Sequence, residues 1–130
     1  MSDALRWNSA KHTILVVENL EETRRLLKSW LAGQGFRVVE AESGAEAVEV
    51  ACREHPSLVF MDIKMPGGDG INAARSIRES AQLHDVPIVA VSADNTEYYQ
   101  SAARAVGFNA YLVKPVSTVE LKTVLDQFLL

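Results

Sequence analysis

The sequence predicts an α/β fold, a doubly wound, five-stranded parallel sheet with helices on both faces. Three observations predict it. Short apolar runs recur along the 130-residue chain: ILVV (14–17), LVFM (58–61), VPIVAV (86–91) and AYLV (110–113), with a more alternating FRVVEA at 36–41. Between them lie stretches whose apolar residues fall at helical spacing. Each of the four strong runs is followed by a polar residue. Val- and Ile-rich runs this short fit strands covered on both faces, and β–α alternation implies right-handed crossovers into one parallel sheet.

Taken in order, ILVV is the first strand. The helix after it carries Thr23, Leu26, Leu27, Trp30 and Leu31 along one side. FRVVEA alternates and reads as a strand nearer an edge. SGAE (43–46) sets a capping serine three residues before a glutamate, the start signal of a second helix whose inner face runs Ala45, Val48, Cys52. LVFM, the third strand, ends in Asp62. Pro66 and the glycines after it turn the chain away, and Gly70 opens the third helix. VPIVAV ends in Ser92. DNTE (94–97) opens a fourth helix with Tyr99, Ala102, Ala103 and Val106 inward and Tyr98 outward. AYLV leads to Lys114 and Pro115, and STVE (117–120) opens the last helix, lined by Leu121, Val124, Leu125 and Phe128. Residues 1–12 read as a polar, unstructured leader in which Trp7 has no assignable role, and residues 13–130 as one domain.

Composition narrows the function. A net charge of −4 and a pI near 5.3 argue against direct binding to a nucleic-acid backbone, which needs clustered Lys and Arg. One cysteine, Cys52, cannot form an internal disulfide, which suits a reducing compartment. No apolar run nears the ~18 residues of a membrane span, and the first residues lack the apolar core of a signal peptide. A soluble, cytoplasmic protein is the expectation. His12, His55 and His84 are scattered without ligand spacing and belong to the surface; Met61 and Met65 are assigned to packing.

In open parallel sheets the functional crevice lies at the carboxyl ends of the strands. There the first strand presents Glu18 and Asn19, the third Asp62, the fourth Ser92 and the fifth Lys114. Clustered carboxylates repel one another, and a hard divalent cation relieves that repulsion. Mg²⁺ suits the set, since it binds through one or two carboxylates and keeps waters that a phosphate can replace. A lysine and a hydroxyl can hold phosphoryl oxygens, and an aspartate between them can form an acyl phosphate. The edge is suited to accepting a phosphoryl group.

ILVVEN, LVFMDIKMPGGDG, VSA and AYLVKP together resemble the receiver domain of two-component response regulators, over residues 13 to about 128. The resemblance implies the flavodoxin-like (βα)5 receiver fold with strand order 2-1-3-4-5. It implies Asp62 as phosphoacceptor, taking its group from a phosphohistidine on a sensor histidine kinase or histidine phosphotransfer protein. Ser92 matches the hydroxyl that bonds the phosphoryl group, and Lys114 the lysine that pairs with it, before a proline whose peptide is usually cis in the family. Tyr111 matches the aromatic that reports phosphorylation to a downstream protein. Glu18, Asn19, Asp62 and the backbone carbonyl of Lys64 match the metal-binding positions for Mg²⁺. Asn19 departs from the family, which carries a second acidic residue there; an amide offers a carbonyl oxygen but no charge.

The leading reading is a phosphorylation-controlled binding module, not an enzyme acting on an external substrate. It presents a changed surface around the helix after Ser92, the last strand and the last helix. It fits a stand-alone regulator and the receiver portion of a hybrid kinase equally. The alternative is a phosphorylation-independent pseudo-receiver with a weakened metal site, which Asn19 favours. An aspartate-nucleophile phosphatase calls for a second aspartate two residues on, where Lys64 stands. A flavin-nucleotide carrier needs a phosphate-cradling first loop, where the acidic ENLEE would repel the ligand.

Overall fold

A computed structural model of the chain describes residues 3–65 and 70–130. Five strands, β1 (Thr13–Val17), β2 (Arg37–Ala41), β3 (Leu58–Asp62), β4 (Ile88–Ser92) and β5 (Ala110–Val113), form one sheet in the order β2-β1-β3-β4-β5. All four pairings are parallel, with Ile14 beside Leu58, Val59 beside Ile88 and Val89 beside Ala110. The helices are α1 (Asp3–Trp7), α2 (Glu21–Gly33), α3 (Gly44–Glu54), α4 (Gly70–Glu79), α5 (Glu97–Ala105) and α6 (Thr118–Leu129).

Each strand side feeds its own core, as the two-residue period of a strand requires. Leu15, Val17, Val59, Met61, Ile88 and Ala90 face Ala47, Val50 and Ala51 of α3, Ile71, Ala74 and Ile77 of α4, and Ala103 of α5. Ile14, Val16, Leu58, Phe60, Val89 and Val91 face Leu27 and Leu31 of α2 and Leu121, Val124 and Leu125 of α6. Helices therefore cover both faces, and β3 and β4 are buried throughout their length. At ~1.5–3 kcal/mol per fully buried aliphatic side chain, these two layers dominate the stabilisation.

Two of the three expected caps appear. Ser43 accepts from the Glu46 amide ahead of α3, and Ser117 with Glu120 forms a reciprocal capping box ahead of α6. At α5 the cap shifts. Thr96, not Asp94, caps the helix, while Asp94 accepts from the Thr96 amide at 2.9 Å and shapes the turn before it.

Four expectations are corrected. The leader is ordered from Asp3: α1 and a 3-10 turn (Ser9–Lys11) pack across the amino end of the sheet. Trp7 is 1% exposed, stacks on Phe36 with centroids 6.0 Å apart, and donates its indole N–H to Asp126 at 2.8 Å. Arg6 pairs with the same carboxylate at 2.7 Å. Cys52 is exposed; α3 turns Ala47, Val50 and Ala51 inward, and the Ala45–Val48–Cys52 line is centred about 140° round the helix from them. Leu26 is 67% exposed because Arg24, Leu27 and Leu31 hold the buried stripe of α2. Asp94 is a turn residue, as above.

Gly35 explains how the amino segment seats. Its φ of +95° suits glycine, and a Cβ there would meet Ala4 and Ser9 side chains at 3.2 Å. His55 ends α3 in the left-handed region with φ 47°. The turn ascribed to Pro66 and the following glycines lies outside the described residues. No described helix is long and apolar enough to cross a membrane.

Candidate functional site

β1, β3, β4 and β5 end at one edge, and their next residues converge there. Glu18 is 1% exposed, Asp62 5% and Ser92 0%. Lys114 reaches across from β5 and bridges the two acids, donating to Glu18 Oε1 at 2.5 Å and Asp62 Oδ2 at 3.2 Å. The second oxygen of each acid is held by backbone: the Lys64 amide donates to Asp62 Oδ1 at 3.0 Å, and the Leu20 amide to Glu18 Oε2 at 3.2 Å. Ser92 Oγ accepts from the Asp94 amide at 3.1 Å. Glu18, Asp62, Ser92 and Lys114 are thus brought together as the sequence implied. The Lys114–Pro115 peptide is cis.

The charges do not balance. One ammonium serves two buried carboxylates, and it lies closer to Glu18. Burial pushes the Asp62 carboxyl above the ordinary aspartate range, and the neighbouring Glu18 charge adds to this against the Lys64 amide and Lys114. Burial alone would lower Lys114, but its hydrogen bond to Glu18 and the charges of both acids hold it above the usual lysine value. Asp62 is therefore the less compensated acid. A divalent cation is what such a pair accommodates: oxygen donors from two carboxylates, with excess negative charge. The residues present fit Mg²⁺. No group of three or more His, Cys, Asp or Glu side chains with metal-site geometry occurs among the described residues, in keeping with an amide at Asn19. Asn19 is half-buried in the loop between β1 and α2.

Two flanking features complete the mouth. Lys64, on the segment after β3, pairs with Asp94, on the segment after β4, at 3.4 Å. Tyr111 on β5 is half-buried and donates its hydroxyl to the Asp94 carbonyl; burial pushes its phenol up. Beside Lys114 an apolar groove of about 550 Å³ opens between α2 and α6, lined by Leu26, Leu27, Trp30, Val116 and Leu121. This groove is where the exposed Leu26 points.

The contacts of two residues escaped the sequence reading. Arg24 is 8% exposed and donates to the Glu18 backbone carbonyl at 2.9 Å. It also pairs with Glu40 at 3.3 Å and Glu42 at 3.0 Å, tying the acidic loop to the edge strand. Its signal was present, because position 24 lies three before Leu27 and seven before Leu31 on the inner stripe. Tyr99 is the second: the Lys64 ammonium sits 5.1 Å from the centre of its ring.

A doubly wound sheet carrying a strand-end aspartate, a second acid and a lysine at its carboxyl edge defines a class, the flavodoxin-like domains with an acidic carboxyl edge. Comparison with known proteins resolves the family. The model of the response regulator receiver domain matches residues 14–126, and the chain belongs to that family, whose members serve two-component signalling. It is 29% identical over 105 residues to the polar-differentiation response regulator DivK of Brucella ovis, covering 81% of this chain and 85% of that protein. It is 36% identical over 121 residues to an uncharacterized 14.6 kDa protein of Leptolyngbya boryana, covering 93% and 92%. Among solved structures, the receiver domain of a sensor histidine kinase from Pseudomonas aeruginosa, with a magnesium ion coordinated in its active-site cleft, superposes with TM-score 0.85. It shares 30% identity over 91% of this chain and 97% of that one. The chemotaxis protein CheY4 of Vibrio cholerae reaches TM-score 0.86 at 24% identity, covering 91% and 98%, a likeness of fold.

Proposed function

We propose that this domain accepts a phosphoryl group on Asp62 from a phosphohistidine, carried by a sensor histidine kinase or a histidine phosphotransfer protein, and that the labelled form changes its protein contacts. The observation that carries this reading is the Lys114 ammonium set between two buried carboxylates, with the Ser92 hydroxyl one strand away. An oxygen of Asp62 attacks phosphorus, the P–N bond of the donor breaks, and the histidine nitrogen leaves with the electron pair and takes a proton. Lys114 and the Ser92 hydroxyl are placed to meet the oxygens that arrive. Glu18, Asp62, the Lys64 carbonyl and the Asn19 amide oxygen would hold Mg²⁺, which when bound offsets phosphoryl charge. The domain is an acceptor rather than an enzyme turning over a separate substrate.

The groove between α2 and α6 gives a donor protein an apolar seat beside Lys114. The output surface is α5, β5 and α6, where Tyr98 is 76% exposed and Tyr111 hangs from the Asp94 carbonyl. An unpaired, exposed Cys52 suits a reducing, cytoplasmic setting. Incubation with Mg²⁺ and acetyl phosphate, followed by intact mass and peptide mapping, tests the proposal. One phosphoryl group mapped to Asp62 is expected. No label, with partner binding unaffected by the donor, would replace it by the phosphorylation-independent module that Asn19 favours.

A further inference from the structure

The Lys64 side chain is 51% exposed, and a lysine so placed normally samples many rotamers. Here three features fix it. Its own amide is tied to Asp62 Oδ1, its ammonium meets Asp94 Oδ2 at 3.4 Å, and the same ammonium lies 5.1 Å from the Tyr99 ring centre. Asp94 is itself anchored: its amide donates to Ser92 Oγ, its Oδ1 accepts from the Thr96 amide, and its carbonyl accepts from Tyr111. Tyr99 is braced edge-on by Tyr98, with centroids 5.2 Å apart, and packs against the core. The lysine thus runs from the tip of β3 to the loop after β4, across the gap above Asp62.

We infer that Tyr99 is a positioning residue, which with Asp94 holds Lys64 across the mouth of the acceptor site and so lengthens the life of a phosphoryl group on Asp62. The inference rests on the reading of Asp62 as phosphoacceptor. Loss of the group requires a water oxygen to attack phosphorus in line as the P–O bond to Asp62 breaks. Phosphate departs, Asp62 regains its carboxylate, and a proton passes to solvent. A side chain pinned over the gap narrows the approach of that water. An ion pair exposed on one side holds it weakly; a ring on the other side adds a cation–π attraction and removes directions in which the chain could swing away. The aromatic ring, rather than the hydroxyl, is the working part.

The test follows phosphoryl loss from labelled parent protein, Tyr99→Leu, Tyr99→Phe, Lys64→Ala and the Tyr99→Leu/Lys64→Ala double variant. NMR of the Lys64 ε-methylene protons is run on the same proteins without label. Tyr99→Leu should shorten the lifetime roughly two- to fivefold, the range a cation–π contact at an exposed site supplies. Tyr99→Phe should keep the parent lifetime, and Tyr99→Leu should add nothing once Lys64 is alanine. The ε-methylene protons should be ring-shifted upfield in the parent and Tyr99→Phe, and lose that shift in Tyr99→Leu. An unchanged lifetime in Tyr99→Leu, or the same shortening with Lys64 already removed, would overturn the inference. A parent that takes no label sinks the acceptor reading and the lifetime role with it, and the upfield shift then reports separately whether the ring holds the lysine.

Discussion

The two ends of the sheet handle buried polar groups in opposite ways. At the amino end the indole and guanidinium groups are matched, and among the described residues only the Ser9 hydroxyl is buried without a partner. The Trp7 indole and Arg6 share Asp126, and Arg78, whose guanidinium burial lowers its proton affinity, spreads its donors over the carbonyls of Val86, His84 and Gly107 and the Asn109 amide oxygen. At the carboxyl end two acids share one lysine, and burial holds Asp62 uphill of its ordinary ionisation. One end is closed on its own partners; the other carries excess negative charge, where under the proposed function a cation and a phosphoryl group would bind. Evidence for function lies in the unbalanced end.

The sharpest way to break this comparison is Asp62→Asn. It should abolish donor-dependent labelling, checked by intact mass, while raising the thermal midpoint of the metal-free protein by about 3–6 °C, or of order 1 kcal/mol. The sign follows from linkage. A carboxyl whose folded affinity for protons exceeds its unfolded one penalises the fold once ionised. Relative to Asp62→Asn, the parent should lose stability as pH rises from the unfolded value of about 3.9 through the raised folded value, and hold a constant deficit above it. A destabilised Asp62→Asn would mean that the acid is fully compensated, and the contrast between the ends would collapse.

Trp7→Ala is the counterpart at the amino end. It empties a fully buried indole site and strips a partner from Asp126, so a loss of about 3–5 kcal/mol is expected in urea unfolding. A loss under about 1 kcal/mol would make α1 an appendage.

Much of this was legible in the sequence. Four strands announced themselves because each is a short apolar run, β2 by its alternation, and the site because polar residues follow the four runs directly. Glu18, Asp62, Ser92 and Lys114 needed only the rule that strand ends share an edge. Trp7 was not legible, because its partners Phe36 and Asp126 lie 29 and 119 residues away and a five-residue helix carries little signal of its own. Cys52 was misplaced because two faces of α3 are both rich in small apolar residues, and only packing chooses between them. The Thr96 cap and the Lys64–Tyr99 contact depend on side-chain conformations that no spacing rule fixes.

Asn19→Asp sharpens the comparison from the other side, by adding a third acid to the unbalanced end. A carboxylate facing a cation at ~4 Å contributes a few kcal/mol at an effective dielectric of about 20, and part is offset by repulsion among the acids. Mg²⁺ binding should tighten roughly ten- to a hundredfold, read by metal-dependent melting, and the metal-free midpoint should drop by a few degrees. Equal affinities would show that position 19 contributes no metal ligand. The smallest effect is expected at Ser9, whose Oγ is buried with no hydrogen-bond partner among the described residues. Ser9→Ala should be neutral or stabilising by up to about 1 kcal/mol.

Gly70 carries a consequence for any survey of sequence variants. A Cβ on it would sit 2.8 Å from the Ile63 Cα and closer still to the Asp62 carbonyl oxygen, so α4 starts hard against the backbone of Asp62. No side chain can be inserted without moving either that helix or the carboxylate. In a saturation library selected for signalling, position 70 should therefore tolerate as few replacements as Asp62 itself, although it offers no reactive group. Intolerance to substitution at this edge will thus map contact with the Asp62 main chain as well as the chemistry proposed for its carboxylate, and the two are separated by asking which positions also fail a selection for folding alone.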